Sequence, residues 1–317
     1  MRIVRHAPAP GPVRAAVVAL GNFDGLHRGH RAVIGEAGRI ARAEGRPWGV
    51  LTFEPHPRQV FQPTTVPFRI TPFRTKARLL AGFGVDVLFA LRFSAEVAGT
   101  LAQDFVVGTL LDGLAIAHVV TGPEFVFGKG RRGNGAVLAR MAAMEGFRYS
   151  QVATETYEGV ACSATEIRVL LRRGLVAAAA HRLGREWEYE GRVAHGANLG
   201  RKLGYPTANL ATAGRLIPSP GIYAVRAGLV EGGRVTWRDA VASLGTRPTF
   251  DGEDTLLEVH VFDFAGDLYG RRLRVAFVDR LRKELRFPDA EALKAQMAED
   301  CRAARAILAR HPMQAAS

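Results

Sequence analysis

Residues 17–30 read Val-Val-Ala-Leu-Gly-Asn-Phe-Asp-Gly-Leu-His-Arg-Gly-His, and the fold of the first half turns on them. Val17, Val18, Ala19 and Leu20 form an apolar run of strand length. Gly21 and Gly25 then permit a tight turn around Asn22, Phe23 and Asp24, because glycine reaches backbone conformations that other residues avoid. Beyond the turn, Val33, Ile34, Ala37, Ile40 and Ala41 recur at helical spacing, so the chain re-enters as an amphipathic helix. This expectation places His27 and His30 in the first helical turn, three residues apart on one face. Free backbone N–H groups and the positive end of the helix dipole suit that place to a phosphate. Two imidazoles add hydrogen-bond donors without a covalent nucleophile. A zinc pair is the competing reading of His-x-x-His, but no cysteine or second close histidine pair completes a four-ligand set.

Working outward, residues 48–53 read as a second buried strand that ends in Glu54-Pro55-His56-Pro57. Two prolines stop regular structure there, so His56 is expected on a loop past a strand's carboxyl end, the edge where open α/β sheets bind ligands. Residues 85–91 and 115–120 give two more strands, separated by helical stretches at roughly 73–81 and 99–111. Strands alternating with helices predict a parallel, doubly wound sheet. Residues 122–135 then read Gly-Pro-Glu-Phe-Val-Phe-Gly-Lys-Gly-Arg-Arg-Gly-Asn-Gly. A phosphate-binding P-loop fails here, because five residues separate Gly122 from Gly128 and Gly130 follows Lys129 in place of Ser or Thr. Gly128-x-Gly130-x-x-Gly133 matches the dinucleotide fingerprint, yet it follows several strands and not the first. Its basic variable positions suit a mobile loop closing over phosphates. Residues 162–174 predict a helix capped by Ser163 or Thr165, carrying Arg168 early and stopped by Gly174.

After a helical linker near 174–188 the period changes from helical to alternating. Residues 221–230 and 234–244 are strand-like and joined through Glu231-Gly232-Gly233, a hairpin signal. Leu257, Val259 and Val261 alternate with Glu258 and His260, and residues 273–278 give another strand. Close-spaced short strands predict a small antiparallel barrel, followed by a helix over about 289–309.

Composition bounds the function. A chain of 317 residues holds one large domain or two ordinary ones, and a formal charge of +13 implies anionic partners. The arginines are scattered and no basic-aromatic ladder appears, which favours small phosphorylated ligands over nucleic acid. Cys162 and Cys301 are alone and far apart, so no disulfide framework is expected and a reducing cytoplasm is the simplest setting. The first apolar run is too short for a signal peptide, and no stretch is long enough to span a bilayer.

The string Gly21-x-Phe-Asp-Gly-x-His-x-Gly-His30, the Glu54-Pro-His-Pro57 turn, the loop from Gly122 and Ser163-Ala-Thr-Glu-Ile-Arg168 occur in the order seen in bacterial bifunctional riboflavin kinase/FAD synthetases. The second half resembles that family's kinase module more closely still, in Gly191-Arg-Val-Ala-His-Gly196, Gly200-Arg-Lys-Leu-Gly-Tyr-Pro-Thr-Ala-Asn209, Gly245-Thr-Arg-Pro-Thr-Phe250 and Leu257-Glu-Val-His260. The resemblance implies a Rossmann-like FMN adenylyltransferase domain at 1–173, a linker at 174–187 and a riboflavin kinase barrel with its terminal helix at 188–317. It implies ATP contacts at Gly21, Asn22, Phe23, Asp24, Gly25, Gly29, Lys129, Ser163, Thr165 and Arg168, and in the second half at Gly196, Arg201 and Gly204. Flavin contacts would fall at His56, Pro57, Glu124, Phe125, Phe127 and Arg282. His27 and His30 would stabilise the polyphosphate, and Glu258 would be the general base of the kinase. Thr207 and Asn209 offer hard oxygens from one side of an extended segment, as Mg²⁺ holding ATP requires. Riboflavin, FMN, FAD and ATP are then substrates or products, with no nucleic acid or membrane partner, in a monomer or weak oligomer. Where the family carries Ser, Arg and Asp, this chain has Ala164, Glu166 and Asn134, so a chain keeping only the kinase stands as the alternative.

Overall fold

The computed structural model describes the chain except residues 64–65, 196–199, 201–202, 250–251 and 313–317, and the side chains of 246–249 and 252–254. Gly196 and Arg201 therefore lie outside the described residues. The rest forms two compact units, residues 1–66 with 70–164, and residues from 165 onward with 67–69.

The first unit is built on β1 (Arg2–Val4), β2 (Val17–Leu20), β3 (Trp48–Glu54), β4 (Val87–Arg92), β5 (His118–Thr121) and β6 (Arg148–Gln151). They form one parallel sheet in the order β1-β4-β3-β2-β5-β6. Helix α1 (Arg28–Ala43) joins β2 to β3, α2 (Phe73–Gly82) leads into β4, and α3 (Gly135–Glu145) joins β5 to β6. Alternation along β2 explains the two layers. Val17 and Ala19 join Ile34 and Ala37 of α1 in one core, while Val18 and Leu20 join Phe89, Leu110 and Leu138 in the other. Helix α1 packs closely because residue 38 is glycine: a Cβ there would come within 2.6 Å of the Trp48 ring. The strand order reverses between β2 and β5, so the turn after β2 opens at the switch point where such sheets bind ligands. A two-stranded hairpin, β7 (Thr156–Tyr157) and β8 (Val160–Ala161), ends the unit.

Two local expectations change. The stretch 99–111 is not one α-helix: Ala102–Asp104 is a single turn that widens into a π-helix at Phe105–Gly113. His56 is not on a bare loop. It caps a short helix, Pro57–Phe61, by accepting from Arg58 N–H through Nδ1 at 3.1 Å, and Pro57 stands at the first helical position, where a missing N–H costs nothing.

In the second unit, α4 (Ala164–Arg172) and α5 (Val176–Leu183) precede a closed antiparallel barrel. Its strands are β9 (Trp187–Ala194), β10 (Ala208–Ala211), β11 (Gly221–Glu231), β12 (Arg234–Thr249), β13 (Gly252–Val261) and β14 (Arg272–Arg282), in the order β10-β13-β12-β11-β14-β9 and closed by β9 on β10. Tyr223, Leu244, Leu257, Val259 and Phe277 fill the interior, as a six-stranded barrel requires. The C-terminal helix α6 (Ala290–Arg310) covers an outer apolar patch of Ala224, Val241, Phe262 and Val278. Arg226, almost fully buried, donates to Glu186 at 2.8 Å and to the carbonyls of Leu308 and His311, closing the helix's C-terminal end.

His118, at the start of β5, is buried with its Nε2 2.9 Å from Ser150 Oγ. Burial, with Arg148 adding to it, holds the imidazole below its ordinary range, against the opposing pull of Glu44. The native state therefore prefers the neutral ring, and the unfolded chain takes up the proton first as pH falls. Its contribution is fully present above about pH 6.5 and is lost as pH drops from there through the depressed native value. Urea unfolding at about pH 7.5 and about pH 5.5 should show a smaller loss in His118→Asn than in the parent; equal losses would remove His118 as a cause.

Candidate active sites in the two units

In the first unit the chain leaves β2 through a strained turn. Phe23 (φ 47°), Gly25 (φ 93°) and Leu26 (φ 47°) all take left-handed conformations, and both side chains are buried, which fixes them there. Asp24 holds the turn. Its carboxylate, 2% exposed, accepts the N–H groups of Ile70 (3.3 Å) and Thr71 (3.0 Å), and Gly25 N–H donates back to Thr71 Oγ1 at 2.9 Å. Lys76 of α2 is 0% exposed. Its Nζ donates to the Asn22 carbonyl (2.7 Å) and Thr52 Oγ1 (3.3 Å) and lies 3.6 Å from Glu54. Asp24 and Phe23, expected at ATP, thus brace the turn from within. Asn22 leaves its side chain exposed while its carbonyl accepts from Lys76 and Thr52.

His27 does not sit in the first turn of α1 but caps it: its Nδ1 accepts from His30 N–H at 3.4 Å. The two rings stack at 3.6 Å, and Phe23 meets His30 edge-on at 5.2 Å. Both imidazoles stand at the positive end of a sixteen-residue helix, against the switch point. A Cβ on Gly29 would come within 3.3 Å of the His27 ring, a tight contact that glycine spares. Ser163 directly precedes α4 and Thr165 lies exposed in its first turn. Arg168 donates from Nε to the Phe68 carbonyl at 2.8 Å and stands 5.4 Å from that ring's centre. Glu166 accepts from Arg182 Nε at 3.1 Å, so the charge at this position is balanced within the second unit.

Phe125 and Phe127 join an aromatic group at the sheet's carboxyl edge. Phe127 lies 5.6 Å from both Phe125 and Phe105, Phe105 lies 6.0 Å from Phe53, and Phe93 links Phe53 (5.5 Å) with Phe61 (5.7 Å). Glu124 is exposed beside it. The basic loop that follows is pinned and not loose. Phe127 exchanges both backbone hydrogen bonds with Gly133, Lys129 N–H donates to the Thr100 carbonyl at 2.8 Å, and Lys129 keeps an exposed side chain. Asn134 caps α3 through Val137 N–H at 3.1 Å, a task Asn and Asp perform alike.

In the second unit a cleft of about 360 Å³ opens on the barrel's outer face, a volume suited to a small-molecule ligand. Glu258, Ser243 and His260 line its wall, Gly200, Tyr205 and Thr207 its rim, and Arg282, Phe287, Met297 and Cys301 its far side. Period-two alternation puts Glu258 outward while Leu257 and Val259 fill the barrel. Asn209 pairs across from Glu258, so both stand on that outer face. Asn209 is 4% exposed, and its Oδ1 is buried with no hydrogen-bond partner among the described residues. An orphaned hard oxygen two residues along the chain from the Thr207 hydroxyl fits a Mg²⁺ ligand set. No group of three or more His, Cys, Asp or Glu suited to a metal occurs among the described residues. Thr207 also lines a second, smaller recess with Pro206, Phe264, Asp267 and Tyr269. Gly204 turns the rim at φ 89°. Arg282 reaches the cleft but spends its fork on Asp300, at 2.8 and 2.7 Å. Sequence reasoning missed Lys76, Asp300 and His260.

Replacing Lys76 by Met strips a donor from the Asn22 carbonyl and the cation from Glu54. Urea unfolding of the first unit should reveal a loss of about 1–3 kcal/mol; an unchanged midpoint would show that the contact holds nothing.

The FAD synthetase family pattern matches residues 11–166, and the riboflavin kinase family pattern matches residues 183–308. A bifunctional riboflavin kinase/FMN adenylyltransferase of Pseudomonas fluorescens is 40% identical over 93% of this chain and 94% of its own. One of the same description from Escherichia coli strain K12 is 38% identical over 95% and 96%. A crystal structure described as a macrolide-efflux protein from Streptococcus pneumoniae superposes with a TM-score of 0.85 at 31% identity, over 96% of this chain and 98% of that one. Among the described residues no helix is long and apolar enough to cross a membrane. With both halves matched in order and along nearly its whole length, the chain belongs to the bifunctional riboflavin kinase/FMN adenylyltransferase family.

Proposed function

We propose that residues 188–317 phosphorylate riboflavin to FMN and residues 1–173 adenylylate FMN to FAD, joined through 174–187, in a reducing cytoplasm. The observation that carries this is Glu258 facing a ligand-sized cleft with Thr207 on its rim and Asn209 paired opposite. The Glu258 carboxylate takes the proton from the terminal ribityl hydroxyl of riboflavin. That oxygen attacks the γ-phosphorus of ATP, the bond to the β-phosphate oxygen breaks, and ADP leaves. Thr207 and Asn209 would hold Mg²⁺, which offsets negative charge on the phosphates when bound. Thr207 borders both recesses, so flavin in the larger and nucleotide in the smaller would meet beside it.

In the first unit the nucleophile is the phosphate of FMN, already anionic, so no general base is needed. Its oxygen attacks the α-phosphorus of a second ATP and pyrophosphate leaves. Catalysis there is positioning and charge stabilisation, with His27 and His30 as donors to the polyphosphate and the helix end behind them. The phenylalanines around Phe125 and Phe127 offer apolar faces to the isoalloxazine, with His56 and Pro57 at the same sheet edge.

Two reactions test the proposal, one started from riboflavin and one from FMN, each with ATP and Mg²⁺ and resolved by chromatography. FAD in both supports it, and no conversion in either by folded protein sinks it. Glu258→Gln should lower riboflavin phosphorylation by about a hundred- to ten-thousandfold while FMN adenylylation persists. His27→Asn with His30→Ala should do the reverse, since Asn keeps the helix cap and removes the imidazole. Undiminished phosphorylation in Glu258→Gln would end its assignment as base.

A further inference from the structure

Beyond the base and the Mg²⁺ ligands, and resting on the kinase reading above, we infer that His260 is a positioning residue that fixes Thr207 through the Pro206 carbonyl. The β10–β13 ladder reaches Ala208 opposite Val259 and stops. One step further, Thr207 would face His260, but β10 begins only at Ala208, and the preceding Pro206 has no N–H to donate. At that point the His260 side chain takes over from the backbone. Its Nδ1 lies 2.9 Å from the Pro206 carbonyl oxygen. A carbonyl only accepts, so Nδ1 carries the proton and the ring is held in that tautomer. Tyr205 and Phe262 both meet the imidazole edge-on, at 5.5 and 5.8 Å, so two aromatic rings pack against it.

The chain around Pro206 needs such an anchor. The turn before it is closed by two bonds onto one carbonyl, from Leu203 (3.1 Å) and Tyr205 (2.8 Å) to Gly200. Thr207 then stands between this turn and the first ladder pair and lines the cleft. A hydroxyl meant to ligate a cation must be held to a fraction of an ångström, and groups behind a ligand do this in metal sites generally. His260 shares the outer face with Glu258, two residues away on one strand, so a single rigid element sets the base and braces the ligand.

The inference separates the two ring nitrogens. Asn at 260 places a donor where Nδ1 was, Gln places one nearer to Nε2, and Ala places none. Two readouts are compared in the full-length chain: steady-state kinetics of riboflavin phosphorylation, and calorimetric titration with Mg²⁺-ADP. Thr207→Ala marks which binding event belongs to the second unit. Thermal unfolding reports folding of every variant.

His260→Ala and His260→Gln should weaken that Mg²⁺-ADP event and raise KM for Mg²⁺-ATP by about ten- to a hundredfold, with KM for riboflavin much less affected. His260→Asn should stay within about threefold of the parent on both. Parent-like behaviour of His260→Ala, rescue by Gln but not Asn, or a loss confined to riboflavin binding would each overturn the assignment. A parent chain that binds Mg²⁺-ADP yet never phosphorylates riboflavin would instead overturn the kinase reading on which it rests.

Discussion

A parallel strand that ends at a switch point leaves its chain little room, and the carboxylate of Asp24 settles how that room is used. By accepting two backbone N–H groups from residues 70 and 71 it ties the turn after β2 to the segment entering α2. Lys76 then comes up from below onto the Asn22 carbonyl. These contacts hold three left-handed residues in place and leave α1 to start at Arg28, behind its His27 cap. The stacked histidines at the capped start of α1 inherit their positions from that closure.

The second unit solves the same problem with different material. A closed barrel has no switch point, so its chemistry stands outside the wall, on residues that alternate with the core. Glu258 and Asn209 are rigid because Leu257, Val259 and Leu210 are packed at almost no exposure behind them. The cleft's remaining wall comes from α6, held by the Arg282–Asp300 fork, by Arg226 at its end and by the Arg305–Asp263 pair at 2.9 Å. Arginine serves in each case because its planar fork makes two directed bonds at once.

Much of this was legible from local pattern. The strand–turn–helix around 17–30 followed from one apolar run, two glycines and a helical period. The outward placement of Glu258 followed from strict alternation, while its role as base came from the family resemblance alone. What escaped notice depended on distant partners. Lys76 sits three residues after Phe73 and four before Leu80, on the buried stripe of α2, but among arginines it looks like part of a solvated face. The acceptance of the Ile70 and Thr71 N–H groups by Asp24 was hidden because nothing local points to residues 70–71. The basic loop looked mobile, since the Phe127–Gly133 pairing and the contact with Thr100 appear in no short-range signal. The wide π-helical stretch, the short helix at Pro57–Phe61, the edge strands β1 and β6 and helix α3 were not read from the sequence, and neither were the long-range hydrogen bonds.

The last helix of the chain is also one side of a ligand cleft: Leu293, Met297, Asp300 and Cys301 face Glu258 and Ser243 across it. A molecule that fills the space between touches barrel and helix together, so its binding free energy is shared with docking of the C-terminus. By mass action, a flavin present at a hundred times its dissociation constant would hold that docked state by about 2.7 kcal/mol. Under the proposed kinase function, flavin supply would then be coupled to how long α6 stays docked on the barrel.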